Sequence, residues 1–184
     1  MNSSKKRFFI ALLPPQEVQL EAHKIKQYFS EVYNSHAALK SPPHVTLQPP
    51  FEWEIEALSL LIEALQNFSQ SQLSIPMILD GFAAFKPRVI YINVLKNQEL
   101  LLIQKNLMSH LESSLNIVNP ISKNCPFSPH LTVGFRDLTK PNFYLAWSEF
   151  QDKKFYFEFI IDKLTLLLHN GKMWEIYQEF SLTL

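Results

Sequence analysis

The sequence predicts an α+β fold. Short apolar runs bounded by proline or glycine read as strands. Longer stretches without either residue carry apolar side chains at three- and four-residue steps and read as helices. An Asn-Gly dipeptide between two apolar runs marks a β-hairpin. Loose alternation of the two element types, with a hairpin at the end, favours α+β over a parallel doubly wound sheet.

The elements follow in order. Phe8 to Leu13 is short, apolar and stopped by Pro14-Pro15, as a buried strand would be. Glu17 to Tyr33 places Val18, Ala22, Ile25 and Phe29 on one helical face. Val45-Thr46-Leu47 is a short strand held between Pro42-Pro43 and Pro49-Pro50. Glu56 to Phe68 is a second helix with Leu58, Leu61, Leu65 and Phe68 along one side. Ile75 to Leu79 and Val89 to Val94 are strands, and Gln98 to Leu115 is a third helix striped by Leu100, Ile103, Leu107 and Leu111. Leu131-Thr132-Val133 is another short strand, and a helix is expected around Tyr144 to Phe150. Phe155 to Leu168 and Met173 to Leu184 read as two strands joined at His169-Asn170-Gly171-Lys172.

Composition narrows the function. At 184 residues the chain is about one domain, and it is long enough to bury a core without a metal or disulfide staple. A hydrophobic fraction of 47% against 18% charged excludes a disordered chain. Seventeen basic and 17 acidic residues cancel, so the whole chain has no global attraction to nucleic acid or to an anionic membrane. The single Cys125 makes neither an internal disulfide nor a zinc cage, so a cytoplasmic location is expected. The apolar run after Lys5-Lys6-Arg7 is too short for a secretory signal, and no stretch approaches the ~20 apolar residues of a membrane span. Only three glycines occur, with neither G-x-G-x-x-G nor a P-loop, so no nucleotide cofactor is expected.

One pattern occurs twice: Pro43-His44-Val45-Thr46-Leu47 and Pro129-His130-Leu131-Thr132-Val133. The histidines stand 86 residues apart, close to half the chain. With six histidines and five threonines, about 0.2 His-x-Thr triplets would arise by chance. Side chains in a strand alternate faces. His44 and Thr46 therefore share one face, as do His130 and Thr132, while the aliphatic residues turn into a core. If the halves are related by duplication, the two polar faces can meet across a cleft. Two imidazoles and two hydroxyls suit phosphate esters. A neutral ring can act as base, a protonated one as acid, and the hydroxyls can bond the phosphoryl oxygens. No metal is needed for that chemistry.

At these residues the sequence resembles the two-histidine (2H) phosphoesterase superfamily, which has a pair of H-x-[ST]-aliphatic motifs and includes 2'-5' RNA ligase-like proteins and cyclic nucleotide phosphodiesterases. The early strand, the helix after it, Phe85 to Tyr91 and the final hairpin with Trp174 fall in the family's order. The resemblance implies a bilobal, pseudo-two-fold fold: a single domain over residues 1–184, with antiparallel sheets lining a central cleft, helices outside and one motif in each of two interleaved lobes. It implies His44 and His130 as catalytic acid and base, and Thr46 and Thr132 as phosphate ligands. The implied substrate is a 2',3'-cyclic phosphate end of RNA or a small cyclic nucleotide, with 2'-5' ligation as the reverse chemistry.

Two departures bear on substrate choice. Gln48-Pro49-Pro50-Phe51 follows the first motif where relatives often carry a glycine-bearing turn. Phe135 stands where many carry arginine, and Arg136 comes next. Strand parity puts Arg136 on the face of His130, as a phosphate or ribose-phosphate contact, and Phe135 opposite, toward the core. Gly134 on the motif face would let a substrate approach the strand, or would mark a bulge. His23, His36, His110 and His169 lack the motif's company, and no ligand spacing for a metal occurs. Cys125 reads as an incidental thiol. Lys86 and Arg88 would line an anionic cleft or a solvated turn. Phe51, Trp53, Phe85, Tyr91 and Phe135 would stack bases or fill the core, and parity favours the core for Phe135. The competing functions are an RNA-end or nucleotide binding protein with little turnover, and a silent scaffold. Nothing calls for an obligate assembly, so a monomer is expected.

Overall fold

The computed structural model describes residues 5–119 and 125–183. Among the described residues, eight strands and four α-helices run in the order β1 (Lys5–Leu12), α1 (Gln16–Tyr33), β2 (Val45–Glu54), α2 (Leu58–Gln70), β3 (Ile75–Phe85), β4 (Val89–Val94), α3 (Gln98–Leu115), β5 (His130–Gly134), α4 (Lys140–Phe150), β6 (Tyr156–Ile161), β7 (Lys163–His169) and β8 (Trp174–Ser181). Two four-stranded antiparallel sheets result, ordered β2-β1-β7-β8 and β5-β4-β3-β6. The α+β architecture with antiparallel sheets is as the sequence predicts.

The sheets are built alike. β1 with α1 corresponds to β4 with α3 at a constant offset of 82 residues, from Leu12 to Val94 and from Gln16 to Gln98. Both helices stop on an asparagine in the left-handed region, Asn34 (φ 54°) and Asn116 (φ 55°). Asparagine tolerates that conformation better than other non-glycine residues, and it caps the helix by turning the chain back. The helices then cross over. α1 packs against β5 of the other sheet, and α3 against β2.

β1 is buried on both faces. Phe8, Ile10 and Leu12 enter the main core with Val45, Leu47, Ile90, Ile92, Leu131 and Val133. Phe9 and Ala11 pack with Leu167 in a small cluster on the opposite face, with Leu13 and Trp174 at its edge. A strand covered twice reads as a continuous apolar run, which is what Phe8 to Leu12 shows.

Several boundaries differ from the sequence reading, among them β3, which runs on from Leu79 through Gly81 to Phe85, and β8, which stops at Ser181. β2 continues through Pro49-Pro50 to Glu54, because it is an edge strand and can leave backbone groups unpaired. Phe155 to Leu168 is two strands in two sheets, with the change at Asp162: β6 pairs with β3, and β7 pairs with β1 and β8. α4 begins at Lys140, where the Thr139 hydroxyl caps Asn142 N and Pro141 occupies the first turn. The last residue of the predicted final strand, Leu184, lies outside the described residues.

Candidate active site

The two motifs reach the same local geometry. His44 stands one residue before β2, and His130 is the first residue of β5. In each motif the ring Nδ1 donates to the backbone carbonyl two residues earlier, Pro42 and Ser128, both at 2.7 Å. A carbonyl can only accept, so Nδ1 carries the hydrogen and Nε2 is the free lone pair of the neutral ring. Each ring also rests on an aromatic side chain of the adjacent strand. Phe9 lies 4.8 Å from His44, and Tyr91, its counterpart at the 82-residue offset, lies 5.2 Å from His130.

His44, Thr46, His130 and Thr132 line one cleft of about 400 Å³ between the sheets. Arg136 lines it too, by a different route from strand parity. β5 ends at Gly134, and Arg136 has a left-handed backbone (φ 58°) that swings its side chain back, with the guanidinium 5.1 Å over the Phe135 ring. Phe135 is correspondingly a cleft residue, half-buried, and not part of the core. Gly134 is the converse case. It is buried, and a Cβ there would lie 2.6 Å from Phe29 Cδ1, so glycine serves the packing of α1 on β5 and not the approach of a substrate.

The rim is cationic. Arg7, Lys40, Arg136 and Lys172 border the cleft, and none of the described residues lining it is acidic. Charge that cancels over the whole chain is thus segregated locally, which favours an anionic ligand. Burial is the main cause that pushes the His44 pKa down to about 3; the charge of Lys26 adds to it, and the Pro42 bond opposes it. Burial also lowers His130, against the pull of its Ser128 bond. Both rings are therefore neutral at pH 7 on their own. An anion between them would favour a proton on one.

The turn before His44 is fastened at several points. Residues 37–40 form a 3-10 turn. The Asp137 carboxylate, just beyond β5, accepts from His36 N at 2.8 Å, Ala37 N at 2.9 Å and Ser35 Oγ at 3.0 Å. The segment after the second motif's strand thereby holds the approach to the first motif.

Several cleft residues were not legible in the sequence. The β7–β8 hairpin contributes His169, Lys172 and Trp174, and Arg7 lies 5.5 Å over the Trp174 ring. Trp174 meets Phe9 and His169 edge-on at 4.7 and 4.8 Å. The one available signal was the Trp174 alternation behind Asn-Gly. His110 bonds the Ala64 carbonyl, and His36 sits between Ser30 and Asn34, so both have structural partners. Phe51 and Trp53 pack on the main core, whereas Phe85 meets His130 edge-on at 5.1 Å. Lys86 lies over the Trp147 ring, outside the cleft lining. Cys125 is exposed in a smaller adjoining pocket that shares Thr46 and His130 with the cleft. Among the described residues no group of three or more His, Cys, Asp or Glu side chains is placed to hold a metal ion. No helix among them is long and apolar enough to cross a membrane.

Known proteins share this fold. The fold matches that of a Thermus thermophilus protein, TT0787, at a TM-score of 0.70 and 20% identity, over 96% of this chain and 97% of that one. It matches E. coli LigT, crystallised with 3'-AMP, at 0.70 and 19% identity, over 98% and 99%. In sequence, a Geobacillus kaustophilus protein named as a candidate phosphoesterase is 31% identical over 178 residues, 95% of each chain. A Geobacillus thermodenitrificans protein named in the same way is 32% identical over 178 residues, again 95% of each. Residues 14–172 match the 2'-5' RNA ligase superfamily, and the chain belongs to that superfamily of two-histidine phosphoesterases.

Proposed function

We propose that the chain is a metal-independent phosphodiesterase that opens 2',3'-cyclic phosphate ends of RNA or nucleotides by two-histidine acid–base catalysis. The observation that carries this reading is the paired Nδ1 bond. It fixes both rings in one tautomer and leaves two Nε2 atoms for a cleft that also holds two threonine hydroxyls.

The steps balance without another reagent. One neutral ring takes a proton from water as the water oxygen bonds to phosphorus. The bond from phosphorus to one ribose oxygen breaks, and the protonated second ring gives its proton to that oxygen. The product is a phosphomonoester, and the proton taken by the first ring returns through solvent to the second. Thr46 and Thr132 donate to the equatorial phosphoryl oxygens, where negative charge accumulates, and Arg136 balances that charge from the rim. With a 5'-hydroxyl in place of water, the same rings in the same roles would join it to the cyclic end as the bond from phosphorus to the 3' oxygen breaks, which is the 2'-5' ligation the family name describes. The phosphomonoester crystallised with E. coli LigT, 3'-AMP, is of the size and charge this cleft suits.

Replacing a threonine hydroxyl removes one of several donors. Thr46→Val or Thr132→Val should lower kcat by about 10²-fold with the fold intact, and circular dichroism would verify the fold. The reading itself is tested by incubating the protein with 2',3'-cyclic nucleotides and a short RNA ending in 2',3'-cyclic phosphate, with EDTA present. Release of a phosphomonoester is the expected result. Tight RNA binding without turnover would favour the binding-protein reading in its place.

A further inference from the structure

The buried stripe of α1 contains one charge. Val18, Ala22, Lys26, Phe29 and Tyr33 face inward, and Lys26 is only 1% exposed. Its Nζ donates to the carbonyls of Ala38 and Ser41, both at 3.0 Å. Those two carbonyls bracket the end of the 3-10 turn, and the chain passes from Ser41 directly through Pro42 and Pro43 to His44. The Pro42 carbonyl, one residue beyond the clamp, is the acceptor that fixes the His44 ring.

The matching helix shows that packing does not require this lysine. At the 82-residue offset, Val18, Phe29 and Tyr33 become Leu100, Leu111 and Leu115, and Lys26 becomes Met108, which packs against the core. A methionine and a lysine have similar length, but only the lysine has to be taken out of water. Burial holds its pKa down to about 7. A costly charge on one side of a duplicated plan, absent from the other, calls for a role that one side alone needs.

We propose that Lys26 is a positioning residue that makes the two cleft histidines inequivalent: its ammonium clamps the turn that delivers His44 and holds a cation on the Ser41 carbonyl, three residues before that ring, which assigns His44 as the base and His130 as the acid. The assignment rests on the two-histidine reading of the cleft. A cation near a ring disfavours its protonated form, so His44 stays a free base while an anionic ligand brings a proton to His130. Other charged or titratable groups face the same space. Arg7 comes from β1, Lys40 from the 3-10 turn, Arg136 from beyond β5, and His169 and Lys172 from the hairpin. These lie on the rim, open to water and salt, whereas Lys26 is sealed beneath the turn. Asp137 is the carboxylate on this segment, and it is engaged with the backbone N–H groups at the opposite end of the turn.

The test is Lys26→Met, which installs the residue that the matching helix already carries. Ring titrations of His44 and His130 by nuclear magnetic resonance require no substrate, so they stand apart from any failure of the phosphodiesterase reading. The His44 midpoint should rise by about one pH unit or more, while His130 moves much less. With a cyclic phosphate substrate, kcat should fall about ten- to a hundredfold, KM should change little, and the acid limb of kcat/KM should move to higher pH. Lys26→Gln, which keeps an N–H donor for one carbonyl but no charge, should give the same His44 shift and recover part of kcat. It also serves if the methionine variant fails to fold. Folded variants in which both midpoints stay in place, or in which His130 moves as far as His44, would overturn the proposal.

Discussion

Removing either ring should abolish turnover while leaving the protein folded. His44→Ala and His130→Ala each delete one proton-transfer partner, a contribution of typically 10²–10⁴ in rate. The upper part of that range applies here, because in a half-buried cleft water replaces neither the base nor the acid in a fixed position. The two losses should not add: once one ring is gone the other has no partner step, so the double variant should be little worse than either single one. Neither substitution should unfold the chain. Each ring makes one ring bond to a carbonyl and rests on aromatic side chains at the cleft edge, while the adjacent Val45 and Leu131 carry the core packing. Steady-state rates on a cyclic phosphate, with circular dichroism on the same samples, check both halves of the expectation. Near-native turnover in either folded single variant would remove that histidine from the mechanism.

The largest stability effect from the smallest substitution is expected at Gly134. Adding one methyl as Gly134→Ala places a Cβ 2.6 and 2.8 Å from two Phe29 ring carbons and 3.3 Å from Leu138 Cδ2. The Phe29 ring has nowhere to yield. It is fully buried, and Tyr33 and Phe150 hold it at centroid distances of 5.3 and 4.9 Å. Overpacking of this kind costs about 1–3 kcal/mol, which in a chain of this size lowers Tm by about 3–10 °C. Trimming the ring should relieve it: Phe29→Leu combined with Gly134→Ala should cost less than the two changes separately. The glycine lies two residues beyond Thr132 on a five-residue strand, so activity should fall together with stability. A Gly134→Ala protein as stable as the parent would mean that α1 can move off β5, contrary to the packing described.

These expectations differ in how far the sequence alone reaches them. The motif pair is legible because a strand imposes a period of two, and that period fixes which side chains share a face over Val45 to Leu47 and Leu131 to Val133. α3 is legible because Leu100, Ile103, Leu107 and Leu111 stripe one helical face, and all four are buried in the structure. Parity stops being informative where a strand stops. β5 ends at Gly134, and its register with β4 slips between Thr132 and Gly134, so the rule that puts Thr132 on the cleft face turns Phe135 toward the core and leaves Gly134 as either a substrate approach or a bulge, of which the slip matches the bulge. The break at Asp162 was hidden for a related reason: both sides of it are apolar, and periodicity cannot say that a chain has changed sheets. The cationic rim draws on four separated segments, and no local pattern joins Arg7 to Lys40, Arg136 and Lys172. Lys26 is the least legible of all. It stands four residues after Ala22, within the buried stripe, where a lone lysine reads as a solvated interruption.

The dependence of kcat/KM on pH tests the central claim most directly. The lowered His130 pKa means that its acid form is lost as pH rises through a range below that of an ordinary histidine, so the rate on a 2',3'-cyclic phosphate should already be falling with increasing pH below about 6.5. The His44 pKa of about 3 means that its basic form persists far into acid, so the opposing limb should appear only well below about pH 5. An asymmetric bell with those limbs, unchanged by EDTA, is the predicted result. A rate that stays level between about pH 5 and 8 would contradict catalysis by this pair of histidines.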